Sequence, residues 1–572
     1  MGARLVTGAA LAVFAVVSAV DSPTATATAV LERLGKASEA IEAVLTSLNS
    51  RWHIHTHPNF LRSVSMSQIS WDVLKLKYMS KILDASSAPP GSVKFVIGFM
   101  GSSVTAGHDS PFNSSFPVQT GDLLAPAFAT LGITVASRNA AMGNNPCVPF
   151  DLCPRTYAGP DADIVHWEQS FNCFGSDAEK RDVFEGFLRQ SIGIASQPIV
   201  VFTTSDTPNW PKKDCDGKDP EARPNQSPED KKALEYLKHG KARLIPSEVN
   251  KNGPAMKPWS AMLDLFRQYQ TRAGVQVWDH ASYAEYKCTG PYLAEWQNQG
   301  VASWHPSLLG HELRAAHYAY FWLLILQDAV AELKKNLTGS AAQSLPALGA
   351  QIKKHIEVER KHVPSKPLYP TLYSDNMQCL TTYEPKHDPE ANLKARILTP
   401  PAGGKPWTGK IFEEMTDPGI LTKARSRGYL DFKHMLYGNK ENAPLSIKIS
   451  IGVPGGGGKG GTGFLCQPPG NWGKLPNGFR NFWEVDTQVF LTTNVVDYKS
   501  FEFSSTGPNT KMLRYTNRKP KDTQTICVDF APFIFPPGQH VLTVVPVSEA
   551  NIMVSTILLP AAPEAAPSAS SS

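Results

Sequence analysis

What the chain lacks excludes several classes of function. No CxxC pair occurs, so a zinc site built on paired cysteines is not expected. Lys and Arg are scattered among Asp and Glu, and the formal net charge is only +5 over 572 residues. Without a basic tract to follow a phosphate backbone, nucleic acid is not an expected partner. Beyond the N-terminus no apolar run approaches the ~20 residues that span a bilayer, so stable membrane insertion is not expected. A glycine-rich run at 455–463 surrounds Lys459, but Val453 breaks the P-loop spacing and Gly460 stands where Ser or Thr would be. It reads as a hairpin tip, and no cofactor is expected. Alternate histidines at His53, His55 and His57 have no local carboxylate or cysteine beside them, so they read as a loop or packing feature and no metal is expected.

What is present describes a globular protein: 42% hydrophobic and 19% charged residues. The length is too great for one core and suggests about two to four domains. Arg4 supplies a positive charge, residues 5–19 are almost uninterruptedly apolar, and Val17-Ser18-Ala19 ends the run in small residues. This pattern predicts a signal peptide over 1–19, a retained anchor being the alternative, and hence a secreted or cell-surface protein. Sequons at Asn113, Asn225 and Asn336 and an even count of eight cysteines fit an oxidising secretory route. Five cysteines fall in the first part (Cys147, Cys153, Cys173, Cys215, Cys288) and three in the last (Cys379, Cys466, Cys527). Two odd counts imply either one bridge between domains or one free thiol in each. Cys147 and Cys153 are placed to staple the loop after Gly143.

Helical spacing over 28–48 and 71–83 is followed by alternating strands and helices. Strands are expected at 93–99, 133–137, 163–167, 198–204 and 275–278, and helices at 118–131, 179–194, 259–272 and 306–335. This order predicts a parallel sheet with helices on both faces over 24–335, with 208–254 as an insertion at its rim. Residues 336–374 turn Ser-, Ala-, Lys- and Pro-rich, the composition of a linker with a short helix near 351–359. From 375 to 560 the period changes to two, clearest in Leu445, Ile447, Ile449 and Ile451. Further strands at 489–493, 500–503, 540–545 and 552–558 predict an antiparallel β-sandwich. Trp407, Trp472, Trp483 and Tyr429 within it are candidates to stack on sugar rings, core packing being the plainer alternative. The Pro/Ala/Ser-rich tail 561–572 reads as disordered.

The stretch that carries chemistry is FVIGFMGSSVTAG at 95–107, a hydrophobic strand running into small residues. Such a strand delivers a hydroxyl to the rim of an α/β sheet, where glycines permit a sharp turn. About two hundred residues later Trp304-His305-Pro306-Ser307 precedes Gly310-His311 and a long amphipathic helix. A serine after an early strand and a histidine before the last helix suit nucleophilic catalysis.

Gly101-Ser102-Ser103-Val104-Thr105-Ala106-Gly107 resembles the first block of the SGNH (GDSL-like) hydrolase superfamily, usually Gly-Asp-Ser-x-Thr-x-Gly. Arg138 to Gly143 (RNAAMG) resembles the second block, and DIVHWEQSFN, ending in Asn172, stands where the third would be. The Trp304–Ser307 tetrapeptide with Gly310-His311 resembles the fifth. The resemblance covers 93–320 and implies a three-layer, flavodoxin-like α/β fold. It also implies Ser103 as nucleophile, His305 as base, and an oxyanion site formed by the Ser103 and Gly143 amides and the Asn172 side chain. Two departures stand out: Ser102 replaces the usual Asp, and Ala302 replaces the acid normally three residues before the histidine. His305 then lacks its usual partner, leaving a Ser–His dyad, or a more distant acid such as Asp279 to orient the ring. The expected function is a secreted serine esterase acting on O-acyl, chiefly acetyl, esters of a polysaccharide or glycoprotein. The alternatives are an O-acyltransferase using the same residues and a non-catalytic carbohydrate-binding or matrix protein that kept the fold.

Overall fold

The computed structural model of the protein describes residues 23–52, 54, 64–65, 68–108, 110–169, 172–173, 177–203, 276–278, 308–338, 344–360, 366–368, 377–400, 404–416, 431–451, 463–469, 475–514, 526–529 and 537–560. The predicted signal peptide, His53, His55, His57, the insertion 208–254 with Cys215, the helix 259–272, Asp279, Cys288, Ala302, His305, Trp472, Tyr429, residues 455–462 of the glycine run and the tail lie outside these residues.

The first part of the chain is built around one sheet. After helix α1 (Pro23–Trp52), the two-residue strand β1 (Val64–Ser65) and α2 (Gln68–Ser87), β2 (Val93–Gly101) runs through the centre. The turn α3 (Ser103–Ala106) and helix α4 (Phe116–Thr130) lead to β3 (Ile133–Asn139), then to the short α5 (Cys147–Phe150) and α6 (Pro154–Ala158). Strand β4 (Ile164–Glu168), α7 (Asp177–Ile192), β5 (Ile199–Thr203), β6 (Gln276–Trp278) and the 30-residue α8 (Leu308–Leu337) complete it. The strand order is β1-β6-β5-β4-β2-β3, parallel except for β1 against β6. The chain turns one way from β2 to β3 and the other way to β4. Loops leaving the carboxyl ends of β2 and β4 therefore diverge and open a crevice.

Period-two alternation sorts side chains to the two faces. Phe95, Ile97, Phe99, Ile164 and Val201 face a core filled from α1, α2, α4 and α8. Val96, Met100, Val165, Trp167 and Phe202 face another with Phe184 and Phe187 of α7. Burial on both faces explains why β2 reads as seven consecutive buried residues after Lys94. Helix α9 (Leu345–Arg360), from the stretch that reads as a linker, packs on α2 and buries Leu348 and Ile352 in the first core.

The second part is antiparallel. Its strands are β7 (Met377–Thr381), β8 (Thr408–Ile411), β9 (His434–Gly438), β10 (Leu445–Ile451), β11 (Phe464–Cys466), β12 (Thr487–Thr492), β13 (Thr510–Arg514), β14 (Cys527–Asp529), β15 (Gly538–Pro546), β16 (Ile552–Val554) and β17 (Thr556–Pro560). Sheets ordered β10-β15-β12-β13 and β14-β11-β17-β7 enclose a shared core containing Ile447, Val489 and Leu542 from one and Leu465, Val528 and Ile557 from the other. A third sheet is ordered β16-β9-β8. Two local expectations differ. The stretch 552–558 forms two strands in different sheets, parted at buried Ser555. At 500–503 no strand forms. Phe503 packs edge-on against Phe490 of β12 at 5.0 Å from a loop, so its apolar spacing is that of a covering segment.

The two parts share one interior. Val96, Tyr157 and Trp167 belong to the same apolar cluster as Met377, Tyr383, Phe464 and Leu558. Disulfides join Cys147–Cys173, Cys153–Cys379 and Cys466–Cys527, and no cysteine among the described residues is free. The two odd cysteine counts thus correspond to a covalent link between domains, Cys153–Cys379. Among the described residues no helix is long and apolar enough to cross a membrane.

Candidate active site

β2 ends at Gly101, where nothing larger fits: a Cβ there would lie 2.3 Å from Thr105 Oγ1 and 2.7 Å from the Glu168 carbonyl. Ser102 caps the turn α3, its hydroxyl accepting from the Val104 amide. Gly107 closes it in the left-handed region at φ +84°. Ser103, the residue after the cap, is half-buried between buried neighbours and so reaches the rim. Glu168 at the end of β4 holds this turn from below. Its Oε2 accepts the hydroxyls of Ser102 at 2.8 Å and Thr105 at 2.6 Å, while its carbonyl accepts the Ser102 amide at 2.7 Å. Burial raises the Glu168 pKa, opposed by the charge of Arg314 and by the Thr105 and Ser102 hydrogen bonds.

The loop after β3 is held from the second domain. Asp431, buried in the β-domain's approach to β9, accepts the Gly143 amide on Oδ2 at 2.8 Å. The same carboxylate meets His108 Nε2 at 2.8 and 2.9 Å. Burial alone would raise the Asp431 pKa, but His108, the Gly143 amide and Lys433 outweigh it and hold it below the usual carboxylate range. The Cε1 corner of the His108 ring abuts Gly143, where a Cβ would stand 2.2 Å from Cε1. Glycine is required at 143 by space, not by φ. Asn144, next along, is held at φ +48°, a region that Asn tolerates better than most residues. In this structure the amide expected to serve the oxyanion is thus occupied by Asp431.

Asn172 lies in the loop after β4. Its Nδ2 is buried and makes no hydrogen bond among the described residues. Its amide donates to the Gln169 carbonyl at 3.0 Å, the Gln169 side chain donates to the Asn145 carbonyl, and Cys173 is bonded to Cys147. The loops after β3 and β4 therefore form one tethered unit. Asp151 beside that disulfide accepts from Trp167 Nε1 at 2.9 Å, and burial pushes its pKa well up. The two sulfurs near it are bonded to each other and offer no thiolate to a metal.

A buried polar layer joins the sheet to α8. The Nδ1–H of His166 donates to the Met100 carbonyl at 3.2 Å, leaving Nε2 as acceptor from Tyr318 at 2.8 Å, with Thr203 Oγ1 at 3.0 Å. Burial lowers the His166 pKa to about 3, so the ring is neutral. Arg314, also on α8, is buried over the Phe116 ring at 5.8 Å and close enough to act on Glu168. These contacts seat the helix that begins three residues after His305.

Of the four residues expected at the site, Ser103, Gly143 and Asn172 lie on loops leaving the carboxyl ends of β2, β3 and β4, and His305 lies outside the described residues. Sequence reasoning missed Glu168, His108 and Asp431. Glu168 carried a signal, an acid ending an apolar strand. Asp431 carried none, since its role depends on a neighbour 288 residues away. Of the aromatic sugar-stacking candidates, Trp483 is buried in the sandwich core, and Trp407 packs against that core with its Nε1 donating to the Ala443 carbonyl at 2.9 Å.

No protein-family model and no curated protein sequence matches this chain. Among solved structures, a two-domain esterase active on acetylated mannans is similar at 12% identity and a TM-score of 0.35, over 83% of this chain and 93% of that one. The same esterase co-crystallized with mannopentaose gives 12% and 0.34, over 82% and 92%. A likeness at this level decides nothing about activity.

Proposed function

We propose that the chain is a secreted serine esterase of the SGNH type that removes acetyl groups from an O-acylated carbohydrate. The observation supporting it best is the pairing of a half-buried Ser103, on a turn clamped by Glu168, with a buried unpartnered donor, Asn172 Nδ2, at the same edge of the sheet. A buried amide without an acceptor costs about 1–3 kcal/mol, a cost more readily understood if a ligand oxygen supplies the acceptor.

In this reading Ser103 Oγ attacks the ester carbonyl as its proton passes to His305. Negative charge develops on the carbonyl oxygen, and Asn172 donates to it. Collapse expels the sugar hydroxyl, which takes the proton back from His305. Water, activated by the same ring, then releases acetate from Ser103. No metal or cofactor is needed for these steps. The N-terminal apolar run, the exposed sequon asparagine Asn113 and the disulfides support secretion.

One observation favours a non-catalytic carbohydrate-binding protein, namely Ala302 in the place of the orienting acid. A serine-reactive phosphonate decides between them. It is expected to label wild type at Ser103 and to leave a folded Ser103→Ala variant unlabelled and inert toward a small acetyl ester. An unlabelled, inert wild type that binds glycan establishes the binding reading.

A further inference from the structure

Asp431 is the one described residue of the β-domain whose side chain bonds both catalytic loops. Through His108 Nε2 it holds the loop of the nucleophile, since the His108 amide donates to the Ser103 carbonyl at 3.0 Å. Through the Gly143 amide it holds the loop after β3. That loop is tied in turn, by Asn145–Gln169 and Cys147–Cys173, to the segment that ends in Asn172. One carboxylate therefore spans the two chain segments whose separation sets the distance from Ser103 to Asn172. It also steadies the peptide leading into Asn144, which is held in the left-handed region.

Two features favour a fixed contact over one made and broken in turnover. Asp431 is 8% exposed. The domains that it bridges share an apolar interior and the Cys153–Cys379 bond. A carboxylate that left the Gly143 amide in each turnover would have to be re-housed, uncompensated, in a buried position. A fixed brace needs no such movement.

We infer that Asp431 is a positioning residue supplied by the β-domain, and that the active site is complete only when both domains are present. The inference rests on the esterase reading for its kinetic consequence and not for its structural one. Gly143 then serves as the brace's anchor, and the oxyanion falls to Asn172 and the nucleophile's own amide. The β-domain becomes part of the catalytic unit.

The test uses the full chain with Asp431→Ala. Misplacing a catalytic group by about 1 Å costs on the order of 10²-fold in rate, so kcat for a small acetyl ester is expected to fall by about that factor. KM is expected to stay within about threefold, because the brace does not touch substrate. Formate added to Asp431→Ala is expected to raise kcat by filling the vacated carboxylate position, a rescue that a general loss of structure would not show. Asp431→Asn retains an acceptor for the Gly143 amide and is expected to fall between wild type and Asp431→Ala, which covers the case in which the alanine variant misfolds. Wild-type kcat in a folded Asp431→Ala overturns the inference. Hydrogen exchange at the Gly143 amide reads the brace without any activity. Faster exchange in either variant supports it even if no ester is ever turned over and the esterase reading fails, and unchanged exchange overturns it.

Discussion

The carboxylate of Glu168 accepts the hydroxyl of Ser102 at 2.8 Å, joining the end of β4 to the residue that caps the turn carrying Ser103. Ser102 stands where an Asp is usual in the resembling superfamily. A second carboxylate beside Glu168 would be repelled in so buried a position, whereas a hydroxyl donates to it. The pair explains the departure at 102 as a matched donor and acceptor.

Glu168→Ala removes the acceptor of both Ser102 and Thr105 and leaves a cavity under the turn. Loss of the two bonds and of packing is expected to lower unfolding free energy by about 3 kcal/mol, measured by urea denaturation. Glu168→Gln keeps one oxygen in place and is expected to lose less. Equal stability of Glu168→Ala and wild type would remove the clamp from the account.

Acid is expected to weaken the fold through His166. Its folded pKa of about 3 lies below the ~6.5 of an unfolded histidine. Between these values the unfolded chain binds a proton that the folded chain refuses, so stability is fully present above pH 6.5 and falls as pH drops. The slope from this one group is about 1.4 kcal/mol per pH unit. His387, lowered to about 4 chiefly by burial, adds in the same direction. Denaturant melts at pH 7, 6 and 5 are expected to show a steeper decline for wild type than for His166→Gln.

Gly143→Ala sets a methyl group 2.2 Å from His108 Cε1, and all three of its nearest atoms belong to that ring. The ring must move, straining its bond to Asp431, at a cost of about 1–3 kcal/mol. Because φ at 143 is not left-handed, the penalty is purely steric. The double variant Gly143→Ala with His108→Ala is therefore expected to lose less stability than the two single losses summed. Strict additivity in thermal melts would contradict the packing.

Cys153–Cys379 closes a span of 226 residues and crosses the domain boundary. Replacing both cysteines with serine is expected to lower stability by about 2–5 kcal/mol. The same variant is expected to loosen the Asp431 contact, so Gly143 amide exchange should rise with it. A variant that melts as wild type does would show that the apolar interface alone holds the domains together.

The sequence by itself determined much of the local order. Phe95, Ile97 and Phe99 alternating with Val96 and Met100, and the small residues after them, are enough to read a buried strand delivering Ser103 to a sheet edge. Both signals lie within a dozen residues, because strand periodicity and turn chemistry are properties of adjacent positions. Tertiary structure alone decided how that edge is completed. Asp431 is an unremarkable acid in the sequence, and His108 one histidine among 15. They acquire a role because docking of the β-domain brings a carboxylate onto an amide 288 positions away. The division of 552–558 between two sheets has the same origin. The apolar residues on either side of Ser555 and Thr556 fit either sheet, and the packing of the whole sandwich decides where Ser555 must turn the chain.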